Sequence, residues 1–114
     1  LRFKHEYSDK VTLLKGNHDW SYINPLMYSC PGYQKEMLLD ASAILEDSKE
    51  LLTNAIEIDG YLYSHAGVSL SWLDRYNKDV RDLPIAEQVN HIIDAEPKSI
   101  CFWNHQYGSD HILL

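Results

Sequence analysis

The apolar residues of this chain fall into short runs and two longer periodic stretches, and their spacing predicts the elements. Val11 to Leu14 is a β-branched and apolar run after the polar break Ser8-Asp9-Lys10, which predicts a buried strand. Ahead of it, Leu1 to Tyr7 reads as the last turns of a helix. Ser21 to Tyr33 carries the turn signals Asn24-Pro25 and Pro31-Gly32 among apolar residues and reads as a partly buried loop. From Gln34 to about Thr53, the residues Met37, Leu38, Ala41, Ile44, Leu45, Leu51 and Leu52 recur at three- and four-residue steps between acidic positions. That pattern predicts one helix, or a pair broken near Asp40-Ala41-Ser42, with an apolar face packed on a sheet.

Ala55-Ile56-Glu57-Ile58 and Tyr61-Leu62-Tyr63-Ser64 flank Asp59-Gly60, the strongest short-range hairpin signal a sequence carries. Ser69 to Leu73 begins a short helix capped by Ser69 or Ser71, and Asp74 to Leu83 reads as a surface loop. Pro84 to Asp94 is an amphipathic helix with Ile85, Val89, Ile92 and Ile93 on one stripe, ending before Pro97. Ile100 to Trp103 reads as a short apolar segment and Gln106 to Ser109 as a turn. The alternation of strands and helices gives an α/β (α+β) class, read as a single domain over residues 1–114.

Composition narrows the function. With 45% hydrophobic and 24% charged residues the chain has the makeup of a folded domain rather than a disordered one. A net charge of -7, with no run of Lys or Arg, argues against nucleic acid as a partner. Cys30 and Cys101 show no metal-ligand spacing and read as free thiols in a reducing cytosol, with a disulfide as the alternative. No apolar run reaches membrane-spanning length, so the expected location is cytoplasmic with no membrane partner.

The candidate chemistry sits at Gly16-Asn17-His18-Asp19, where the first strand ends. Gly16 is expected to free the backbone for a sharp turn that presents the next three side chains together. Asn17 offers an amide oxygen to a cation, and His18 an acid or base near neutral pH. Asp19 is placed to hold the second ring nitrogen of His18 in one tautomer. The plain alternative is a tight turn with His18 merely exposed. His65, at the end of the second hairpin strand in Tyr63-Ser64-His65-Ala66-Gly67, is the second candidate, with Ala66 and Gly67 keeping the backbone slim. His5, His91, Arg75 and Arg81 read as surface residues, and Trp20, Trp72 and Trp103 as core or groove walls.

Gly-Asn-His-Asp after one strand and Ser-His-Ala-Gly after another, in this order, resemble the calcineurin-like metallophosphoesterases, in particular the PPP-type serine/threonine phosphatases and their bacterial relatives. The resemblance implies part of a metallophosphoesterase β-sandwich flanked by helices. It implies a phosphatase with two divalent metal ions in the intact domain (Mn, Fe or Zn) and a phosphorylated protein or small phosphoester as substrate, a dinucleoside polyphosphate included. Asn17 and His65 would ligate one metal, Asn17 and His18 would face the phosphate, His18 would act as general acid, and Asp19 would fix its tautomer. His105 would stand where related phosphatases often carry a phosphate-gripping arginine.

The family's Asp-x-His and Gly-Asp-x-x-Asp elements and its later Gly-His element do not occur in this sequence. The chain is therefore expected to be an internal piece of a larger catalytic domain, with an incomplete metal site and a tendency to self-associate through exposed sheet surface. The alternative function is a non-catalytic remnant of the fold that acts as a protein-interaction module.

Overall fold

The computed structural model describes residues 1–27 and 30–99. Helices and short strands are interspersed along the chain, an α/β class, in two compact units: one spans Leu1–Thr53 and the other begins at Asn54.

The first unit is built on a parallel strand pair. β1 (Leu13–Leu14) lies beside β2 (Leu52–Thr53), with Leu13 opposite Leu52 and Leu14 opposite Thr53. The Lys15 N–H extends the ladder by donating to the Thr53 carbonyl at 2.8 Å. A parallel pair needs a long crossover. Helix α2 (Asn17–Ile23), a 3-10 turn at Lys35–Met37 and helix α3 (Leu38–Asp47) supply it. Helix α1 (Arg2–Glu6) precedes β1, and the Lys4 ammonium donates to the Ser8 and Val11 carbonyls, tying the helix to the loop that enters the strand.

Three expectations change here. The residues after the motif continue as helix through Ile23, because Trp20 and Ser21 are buried and hold α2 in place. The long periodic stretch breaks at Ser48 rather than near Asp40-Ala41-Ser42, and its last residues become strand β2. Ser42 stays helical, and its hydroxyl donates to the Tyr22 carbonyl at 2.7 Å, fastening α3 to α2. The apolar face assigned to that stretch is also not buried: no residue of α3 is, and Leu39 is 83% exposed.

The second unit is a hairpin covered by helices. β3 (Ala55–Ile58) pairs antiparallel with β4 (Tyr61–Ser64), from Ala55 opposite Ser64 to Ile58 opposite Tyr61. Asp59 and Gly60 both take positive φ, 52° and 78°, as a type I′ turn demands. Helix α4 (Leu70–Tyr76) starts at Ser69, whose Oγ accepts from the Trp72 N–H at 3.2 Å, and it extends three residues into the stretch read as loop. Helix α5 (Ile85–Ala95) follows Pro84 and ends before a 3-10 turn at Pro97–Ser99. Its Val89, Ile92 and Ile93 form the core with Ala55, Trp72, Leu73 and Val80, whereas Ile85 of the same stripe is 42% exposed.

Polar side chains lock this unit. Asn90 Oδ1 accepts from the Asn54 and Ala55 N–H groups, both at 3.0 Å, and its Nδ2 donates to the Ala55 carbonyl at 2.9 Å. Glu57 Oε2 accepts from the Ala86 N–H, meeting one of the donors left open at the start of α5. No helix among the described residues is long and apolar enough to cross a membrane. The apolar segment at Ile100, the turn at Gln106, and with them Cys101, Trp103 and His105, lie outside the described residues.

Candidate functional site

β1 delivers the chain directly to the first turn of α2, so Asn17, His18 and Asp19 are consecutive helical residues rather than members of an open turn. Gly16, the residue before the helix, has φ -115° and ψ 179°, an extended conformation any residue adopts. The expected conformational role of this glycine is therefore not used. It is buried, its carbonyl accepts from the Trp20 N–H at 3.0 Å, and its N–H donates to Asp19 Oδ2 at 2.7 Å.

That last contact redirects Asp19. The carboxylate folds back on the start of its own helix, the acidic half of a capping box; glycine has no side chain to make the other half. The ring nitrogen of His18 that the sequence reading gave to Asp19 faces a different group. His18 Nδ1 lies 3.4 Å from the Sγ of Cys30, a buried free thiol. Gly32 closes the same side: a Cβ built there would lie 3.7 Å from His18 Cε1, and its φ of +86° suits glycine.

The segment bearing Cys30 and Gly32 is held to α2 through Tyr22. The Tyr22 hydroxyl accepts from the Gln34 N–H at 3.0 Å, and its ring centroid sits 5.1 Å from that of Tyr33. A further bond, from the Tyr33 N–H to the Cys30 carbonyl at 3.2 Å, closes the turn. None of these partners is visible as such in the sequence; the only local signal was the Pro31-Gly32 turn.

His18 itself is exposed, and Asn17 and Asp19 are half-buried. His18 and Asp19 border a groove of about 460 Å³ whose walls include Leu13, Leu14, Ala41 and Leu45, within the size range of ligand clefts. A second cavity of about 350 Å³ lies beside Lys15, Ser42, Glu46 and Lys49. The Lys15 ammonium rests 5.5 Å from the centre of the Trp20 ring, and Lys49 pairs with Glu46 at 2.6 Å. The hydrogen bond to Glu46 and its negative charge raise the Lys49 pKa above the ordinary lysine value.

His65 follows the last residue of β4 directly, as the hairpin reading required, and is exposed in a bend. The Ser64 hydroxyl donates to the Ala66 carbonyl and tightens that bend. A Cβ at Gly67 would meet nothing within 4 Å among the described residues, so no close neighbour there demands a glycine. Asn17, His18 and Asp19 thus come together on one helical turn of the first unit, while His65 belongs to the second.

The donor set does not amount to a coordination sphere. Among the described residues no three His, Cys, Asp or Glu side chains form a group that could hold a metal ion. Asn17 and His65 are two donors, and divalent cations of this type take about four to six. His5, His91, Arg75 and Arg81 are exposed, and the Arg81 Nε–H donates to Asn77 Oδ1 at 3.1 Å within the second unit. Trp20 and Trp72 are buried core residues. Comparison of the chain with protein-family models, with curated proteins and with solved structures finds no match.

Proposed function

We propose that this chain carries the leaving-group side of a phosphoester hydrolase of the calcineurin-like, metal-dependent type, acting on a phosphorylated protein or a small phosphoester. The observation that supports this most directly is the posture of His18. Its ring is exposed at the rim of the 460 Å³ groove, while Nδ1 faces Cys30 on the protein side. Nε2 has no hydrogen-bond partner among the described residues, which leaves it open to a ligand, as a donor when it carries the ring proton.

In this reading His18 Nε2–H binds a phosphoryl oxygen on arrival and protonates the leaving oxygen as the ester bond breaks. The groove offers a largely apolar wall beside that transfer, and Asp19 acts by fixing the first turn of α2, on which His18 sits. Asn17 in the first unit and His65 in the second are the side chains the reading assigns to metal ligation. Each supplies a single donor within its own unit, far short of a coordination sphere.

The test is hydrolysis of an aryl phosphate with added manganese, with metal content measured on the same sample of the protein. His18→Asn is expected to lower kcat by about 100-fold or more while leaving bound manganese nearly unchanged. Parallel loss of metal and turnover would remove the general-acid role. A wild-type protein that binds manganese and hydrolyses no phosphoester would remove the hydrolase reading itself.

A further inference from the structure

We propose that Cys30 is the positioning residue of His18: its thiol, with Gly32 beside it, seats the imidazole so that Nε2 faces the groove. The proposal rests on the reading of His18 as the proton donor and names the group that sets its orientation. Four observations converge on it. Cys30 is 7% exposed, so the sulfur is a fixed wall and not a mobile surface group. Its Sγ lies 3.4 Å from Nδ1, within reach of an S–H···N or N–H···S bond. A Cβ built at Gly32 would stand 3.7 Å from His18 Cε1, ordinary contact distance, so this residue borders the ring, and its φ of +86° suits glycine. Asp19, the side chain otherwise placed to orient the ring, is bound to the Gly16 N–H.

The protons balance in two forms of the pair. With a neutral thiol and a neutral imidazole, the S–H donates to Nδ1, which leaves the ring proton on Nε2. With a thiolate and an imidazolium, Nδ1–H donates to sulfur and Nε2 again carries a proton. In both forms Nε2 is a donor, which is what protonation of a leaving oxygen requires; the third form, a neutral imidazole whose Nδ1–H donates to a neutral thiol, leaves Nε2 an acceptor and does not serve the proposed role. The Tyr22 hydroxyl and ring hold the Cys30–Gln34 segment on the same helix that carries His18, so ring and seat move together.

The ring seat is read without substrate or metal, by NMR on the 114-residue chain, with the His18 imidazole assigned by its loss in His18→Asn. The wild type is expected to show a nuclear Overhauser contact between His18 Hε1 and the Gly32 α-protons. That contact is expected to weaken at least threefold in Cys30→Ala and to return in Cys30→Ser, whose hydroxyl still donates to Nδ1. Cys30→Val fills the space without a donor and is expected to behave like the alanine variant.

An unchanged contact in Cys30→Ala, or a full contact in Cys30→Val, would overturn the proposal, the second because packing alone would then hold the ring. Should Cys30→Ala not fold, the serine and valine variants decide between the same outcomes. Failure of the hydrolase reading is separate: it appears as wild-type protein that binds manganese and hydrolyses no phosphoester, and it leaves the ring contact as it is.

Discussion

Asp19 and Cys30 divide a task that the order of residues would give to Asp19 alone. A carboxylate one residue from a histidine on a helix cannot easily reach that histidine's ring, because neighbours at i and i+1 point to different sides. It reaches the N–H three residues back, and the 2.7 Å bond to Gly16 is the result. Asp19→Ala is therefore expected to lower stability by about 1 kcal/mol, read as a shift in the urea midpoint, with the His18–Gly32 contact retained. Ser69→Ala should cost a similar amount, about 1 kcal/mol, since it removes the acceptor for the Trp72 N–H. A loss of the ring contact in Asp19→Ala would restore the carboxylate as the orienting group.

At the level of elements, the hairpin and the crossover behave differently. The β3–β4 hairpin follows from local chemistry: Asp59 and Gly60 supply the two positive φ angles, and the strands on either side pair in register. Gly60→Ala is expected to destabilise the protein by about 1 kcal/mol in thermal or urea unfolding, because φ 78° penalises a Cβ. Asn90 is the long-range counterpart. It satisfies three backbone groups at the start of β3, so Asn90→Ala is expected to cost about 2 kcal/mol and to speed hydrogen exchange at the Asn54 and Ala55 amides. Strand β2, by contrast, lies in a sequence with helical spacing. It is a strand because its backbone pairs with β1, and no window of neighbouring residues contains that partner.

For the whole molecule, burial is uneven. The second unit has its core where α5 meets the hairpin and α4: Val89 and Ile93 are 0% exposed and Trp72 is 1%. Ile93→Ala is expected to lower stability by about 3 kcal/mol, the sum of lost transfer energy and the cavity left behind. In the first unit, α3 buries none of its residues, and Leu39→Ala is expected to change stability by no more than about 0.5 kcal/mol. Equal effects of the two substitutions in denaturant titrations would contradict this distribution of the core.

The sequence by itself determined the α/β class, the hairpin with its turn, helix α5 with the Val89, Ile92 and Ile93 part of its stripe, and a serine cap at Ser69 or Ser71, because each depends on residues close together in the chain; the structure chose Ser69. It also placed Asn17, His18 and Asp19 at the end of a strand and His65 at the end of another, since strand ends are marked by local punctuation. Tertiary structure decided what lies against those side chains. The parallel partner of β1, the helical form of the motif, the bond from Gly16 to Asp19 and the Cys30 contact with His18 all depend on which distant segments α2 and α3 bring back. A thiol twelve positions from an imidazole carries no periodicity and no motif; the Tyr22 contacts with Gln34 and Tyr33 help hold the Cys30–Gln34 segment beside α2.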